Sequence, residues 1–95
     1  MINIEVIQNG DPNPFLDPIK CYGQKHGNVY QMFTSKVESN TYFVSTGMHN
    51  RVIMIWWDVD QWLLSSASLE DLGEYNPHIK IRQVDAKVTI KLEIE

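Results

Sequence analysis

Arg51-Val-Ile-Met-Ile-Trp-Trp57, continued by Asp58-Val-Asp-Gln-Trp-Leu-Leu64, is the stretch on which the fold turns. The six large apolar residues from Val52 to Trp57 are mostly β-branched or aromatic, the side chains that fit a pleated surface. A strand sends successive side chains to opposite faces, so Ile53, Ile55 and Trp57 lie on one side and Val52, Met54 and Trp56 on the other. Both faces are apolar, which is the pattern of a strand covered twice. Asp58 has the chemistry of a helix N-cap, with Gln61 three residues on, and Val59, Trp62 and Leu63 share one helical face. The spacing predicts one short helical segment at about residues 58–72. It breaks near Ser65–Ser68, because Glu70 would otherwise fall in the middle of the apolar face. That helix is a candidate cover for one face of the strand. The other face needs more chain, a second copy or a partner, since Met54 and Trp56 turned to water would form an interaction patch.

On the N-terminal side, Gly47-Met-His-Asn50 links Thr41–Thr46 to Arg51–Trp57, and a four-residue link with Gly and Asn between β-rich runs signals a hairpin. Before it, Asn28–Phe33 reads as a strand, with a polar connector over Thr34–Asn40. Ile2, Ile4 and Val6 alternate with Asn3 and Glu5, a half-buried first strand. Pro12, Pro14 and Pro18 make residues 8–18 a loop, with Phe15 and Leu16 tucked onto the body and a short extended piece over Ile19–Tyr22. On the C-terminal side, Ile79 and Ile81 share a face. Val84-Asp-Ala-Lys87 is expected to turn the chain back, and Lys87–Glu95 alternates without a fault, with Val88, Ile90, Leu92 and Ile94 inward. The fold class is α+β: a mainly antiparallel sheet of five to seven strands with the one helical segment, in a single domain spanning 1–95.

A chain of 95 residues buries roughly 60–65% of its unfolded surface, enough for one core without staples. Hydrophobic content of 43% with three Trp, four Tyr and three Phe is that of a folded globule. One cysteine, Cys21, excludes an internal disulfide. The lack of a basic-then-apolar leader or a long apolar run predicts a cytoplasmic protein without a membrane span. Net charge of −4 argues against direct nucleic-acid binding. Between positions 58 and 74 stand Asp58, Asp60, Glu70, Asp71 and Glu74 with no Lys or Arg, more negative charge than the whole chain carries net.

Each cluster that could carry chemistry has a plainer explanation. Asp58 and Asp60 have the spacing of paired metal-binding carboxylates, but capping a helix accounts for them without a third acid. Cys21 with His26, His49 or His78 could make a nucleophile and base. It sits in an apolar stretch, however, where a free cysteine is a small buried hydrophobe. One Cys and three scattered His show no zinc spacing. Gly23-Gln-Lys-His-Gly27 could contact a phosphate, yet it lacks the phosphate-loop patterns and reads first as a turn. No metal, cofactor or catalytic motif is therefore expected.

The Trp56, Trp57 and Trp62 set next to five carboxylates is the strongest binding signature. Trp57 and Trp62 are expected in the core, leaving Trp56 and Met54 for a surface. These features predict a small acidic binding protein that inhibits or adapts another protein with a basic surface. Asp58, Asp60, Glu70, Asp71, Glu74, Trp56 and Met54 would form the docking face. A phage-type inhibitor of a host defence nuclease, or an immunity protein against a nuclease toxin, fits this size and charge. The alternative is a small-molecule, nucleotide-like binder or sequestering protein, with Tyr22, Lys25, His26 and Trp56 around a pocket. A subunit of an oligomeric enzyme is the third reading. Homodimerisation suits all three, since a regular strand over Lys87–Glu95 at a sheet edge invites pairing.

Overall fold

A computed structural model describes residues 2–8, 13–68 and 78–90. They form one antiparallel sheet of six strands: β1 (Ile2–Gln8), β2 (Val29–Thr34), β3 (Val37–Ser45), β4 (Arg51–Asp58), β5 (Gln61–Ser68) and β6 (Ile79–Ile90). The order across the sheet is β1-β6-β2-β3-β4-β5. Strands β2 to β5 run as a meander, and β6 inserts between β2 and β1. The sheet curls into a half-barrel, bringing its two edge strands, β1 and β5, into contact.

Three corrections follow for the sequence reading. The expected helical segment at 58–72 is strand β5, paired with β4 from Arg51↔Ser68 to Asp58↔Gln61; residues 69–72 lie outside the described residues. The only helical element among the described residues is a 3-10 turn, Pro18–Cys21, where an extended piece was expected. Pairing explains the first difference. Trp62, Leu64 and Ser66 alternate with Leu63, Ser65 and Ala67, and opposite the apolar run Val52–Trp57 of β4 this alternation buries Ala67 and half-buries Trp62 and Leu63. An isolated amphipathic turn could not bury as much. The third correction is at Val84–Lys87, which does not turn back: it lies inside β6, a single strand of 12 residues. Ile79 and Ile81 therefore face one side, and Val84, Ala86, Val88 and Ile90 the other. The strand serves two neighbours in turn, pairing with β2 over Ile79–Val84 and with β1 over Asp85–Ile90. The 47–50 hairpin is as expected, with Ser45 opposite Val52 and Thr41 opposite Trp56.

The outer face carries Tyr30, Phe43, Val52, Ala67 and Ile81, roofed by Leu16, Cys21 and Tyr22 from the loop after β1. Phe43, Val52 and Ile81 have no exposed surface, and each such side chain contributes roughly 1.5–3 kcal/mol of burial. The roof is fastened by polar bonds. Leu16 pairs with Ile81 through both backbone groups, extending the β1 edge along β6. The buried Ser45 hydroxyl donates to the Cys21 carbonyl at 2.7 Å, and the Tyr22 hydroxyl donates to the Ser68 carbonyl at 2.5 Å. Lys80 and Asp17 form an ion pair, and the Lys80 ammonium holds the Asp17 carboxyl below its usual range. Gly23 is required in this loop: its φ is +70°, and a Cβ there would come within 2.7 Å of His49 Nδ1.

The inner, concave face collects Ile4, Val29, Tyr42 and Val84, with Val44, Trp62, Ala86 and Val88 packed on them. Burial pushes the Tyr42 hydroxyl pKa up, and Glu38 adds to the effect. Strand β4 is thus covered twice, by the 16–22 roof outside and by the curl of the sheet inside.

Candidate functional site

The β4–β5 turn is the first candidate. Asp58-Val59-Asp60-Gln61 closes the hairpin with Val59 at φ +54°, and the Asp60 amide donates to the Asp58 carbonyl. That i to i+2 bond about a residue of positive φ is a γ-turn of the rare, strained kind. A β-branched residue in this region is an outlier costing on the order of 1–2 kcal/mol. Val59 is also 90% exposed, so no packing compensates for the strain. The carboxylates of Asp58 and Asp60 flank it.

Behind the turn the two faces of the hairpin differ. On the concave side Trp57 and Trp62 are cross-strand partners with ring centroids 5.2 Å apart and planes at 72°, an edge-to-face contact. Trp62 leans on Tyr42 at 6.0 Å. Trp57 is 41% exposed, which corrects its expected place in the core: Trp62 lies between it and the interior. On the outer side Met54, Trp56 and Leu63 are half-buried, Met54 against the cluster that Cys21 and Tyr22 belong to. The neighbouring β2–β3 turn stands at the same end of the sheet. Ser35 and Lys36 occupy its two central positions at φ 50° and 66°, and Val37 beside them is exposed. Three apolar side chains, Val37, Trp57 and Val59, are therefore presented at this end with Asp58, Asp60 and Glu38.

Of the residues expected on a docking face, Asp58 and Asp60 stand at the tip, and Met54 and Trp56 lie behind it on the outer face. Glu70, Asp71 and Glu74 lie outside the described residues. Sequence reasoning missed Val59 and Trp57. Their signal was the symmetric Trp57-Asp-Val-Asp-Gln-Trp62, two tryptophans spaced to meet across a short turn.

The second candidate is a concave cavity of about 420 Å³ at the opposite end. Strands β2, β3, β4 and β6 wall it with Val29, Val44, Ile53, Ile55, Val88 and Ile90. Its rim includes His26 and Gly27, and His26 Nδ1 lies 3.4 Å from the Thr46 carbonyl. A carbonyl can only accept, so Nδ1 is the donor of that contact. The four residues expected around a nucleotide-like ligand are divided by the sheet. His26 lines the cavity and Lys25 precedes it in the chain, whereas Tyr22 is buried as part of the outer roof and Trp56 is on the outer face.

Cys21 is fully buried, and its Sγ lies 3.0 Å from the Pro18 carbonyl. Burial pushes its thiol pKa up to about 12, which leaves no thiolate at neutral pH. Among the described residues no cluster of three or more His, Cys, Asp or Glu could hold a metal, and no helix is long and apolar enough to cross a membrane. No family model, curated protein or solved structure matches the chain.

Proposed function

We propose that this chain is a binding protein that docks on another protein through the β4–β5 hairpin. The carrying observation is Val59, a β-branched side chain 90% exposed at φ +54° between two carboxylates. Strain at a solvated tip gives the free protein nothing; it is tolerated where a partner's pocket receives the side chain. Asp58 and Asp60 supply a negative rim, Trp57 and Trp56 give aromatic area on either side, and Val37 widens the patch. The complementary surface is an apolar pocket rimmed by Lys or Arg. Nucleic-acid-processing enzymes present basic clefts of that kind, so inhibition of a nuclease by occupation of its cleft is the specific form we propose. Steering between opposite charges makes such docking fast and salt-sensitive.

The test is capture of partners by the immobilised protein from nuclease-treated bacterial lysate, with Val59→Gly and Asp58→Lys/Asp60→Lys variants in parallel. A stoichiometric basic protein held by the native chain, weakened at least tenfold by either variant, supports the reading. Equal capture by all three proteins removes the hairpin from it.

A further inference from the structure

The concave cavity lies at the opposite end of the sheet from the β4–β5 tip, and its chemistry selects a ligand. Its volume of about 420 Å³ lies at the small end of ligand pockets, roughly 300–1,000 Å³. Among the described residues the walls are aliphatic, with no aromatic side chain from the strands to stack on a flat base, and His26 is the one polar side chain that lines it. Such a wall suits a short flexible hydrocarbon. Gly27, at φ +94°, borders the opening, where an added Cβ would meet nothing within 4 Å.

Among the described residues, the loops and strand ends at 22–28 and 45–51 hold Lys25, His26, His49 and Arg51 and no carboxylate, whereas Asp58 and Asp60 stand at the far end. Arg51 is the informative cation. It opens β4 two residues before Ile53, so strand alternation places it on the same concave face as Ile53 and Ile55. Its Nη1 donates to Ser66 Oγ at 3.1 Å, a contact that fixes one arm of the guanidinium. The donors that remain form a planar fork suited to a carboxylate.

We propose that this cavity binds a short aliphatic carboxylate. Its chain lies between Val44, Ile53, Ile55 and Val88, and its head group meets Arg51, with His26 and Lys25 beside it. The apolar wall supplies affinity for the chain, and the basic mouth orders the ligand with its charge outward.

The experiment is a titration of the full chain with decanoate, 1-decanol and decylamine, followed by methyl NMR of the valines and isoleucines. Decanoate shifts the Val44, Ile53, Ile55 and Val88 methyls saturably, 1-decanol does so more weakly, and decylamine is the poorest. Arg51→Glu lowers decanoate affinity by about tenfold or more and leaves 1-decanol affinity within a factor of two. Val88→Phe fills the cavity and abolishes binding of all three; Ala86→Leu replaces it if Val88→Phe does not fold. The proposal is overturned if no cavity methyl moves at millimolar decanoate, or if decylamine binds as well as decanoate. It is overturned too if the same methyls shift with protein concentration alone, which would identify a second copy as the occupant.

Discussion

Trp57 and Trp62 face each other across the β4–β5 turn with centroids 5.2 Å apart and planes at 72°, so a half-buried ring braces an exposed one. The pair continues into Tyr42 and the concave cluster, which ties the orientation of the tip to the core. Trp57→Ala should cost about 1–2 kcal/mol, the edge-to-face contact plus partial burial. Trp62→Ala should cost about 3 kcal/mol or more, because its ring also fills the interior. Urea unfolding of the two variants checks the order. Equal losses would mean that Trp57 is packed as deeply as Trp62.

Val59 at φ +54° makes a second prediction, of opposite sign. Val59→Gly should raise stability by roughly 0.5–1.5 kcal/mol, since relief of the left-handed strain outweighs the added freedom of the unfolded glycine. At 90% exposure the lost side chain gives up almost no burial. Thermal unfolding reads this as a higher Tm. A lower Tm would show that the valine is held by contacts beyond the turn itself.

The same turn shows why part of the fold was legible and part was not. The 41–57 hairpin could be read because its link carries Gly47 and Asn50 and its strands are unbroken β-formers. The next hairpin has Asp-Val-Asp where glycine or asparagine is the usual signal, so the capping chemistry of Asp58 looked like the start of a helix. Strand β6 was divided for a related reason: Asp85 and Lys87 look like turn residues until β1 is known to pair there, with Glu5 opposite Lys87. Asp58 and Asp60 were visible as a charged pair, and the structure places them on one tip. The cavity was not visible at all. Val29, Val44, Ile53 and Val88 come from four strands and alternate as any core residues do, and only the curvature of the sheet decides whether the space between them is filled.

Arg82 rests over the Phe15 ring at 4.1 Å and near Phe33 at 5.4 Å, while the two rings meet edge to face at 5.0 Å. Its Nε is buried without a hydrogen-bond partner among the described residues, and the cation–π contacts with the two rings are part of what holds the guanidinium there. Arg82→Lys keeps the charge and loses the plane. It should therefore cost about 0.5–1 kcal/mol, with faster amide hydrogen exchange at Leu16, the residue that follows Phe15 and pairs with Ile81. Unchanged exchange at Leu16 in this variant would separate the stack from the anchoring of the roof.

Cys21 gives a prediction with a definite pH window. Its thiol pKa moves from the ordinary 9.0 up to about 12, chiefly because burial disfavours the thiolate. Below pH 9 folded and unfolded chains both keep the proton, and stability has no pH dependence from this group. Between 9 and 12 the unfolded chain loses the proton while the folded chain retains it. The folded state then binds more protons, and stability falls with rising pH by at most about 1.4 kcal/mol per pH unit. The stabilisation is thus complete below pH 9 and lost as pH approaches the folded value; Tyr42, also raised, acts in the same direction. Cys21→Ala removes the thiol's share, so its stability should decline less steeply from pH 9 to 11 even though it starts lower from the lost packing. Parallel slopes for the two proteins would assign the alkaline loss to Tyr42. Thiol labelling at pH 8 offers an independent check: the native chain should react orders of magnitude more slowly than the urea-unfolded chain, because reagent reaches Cys21 only when the 16–22 roof opens.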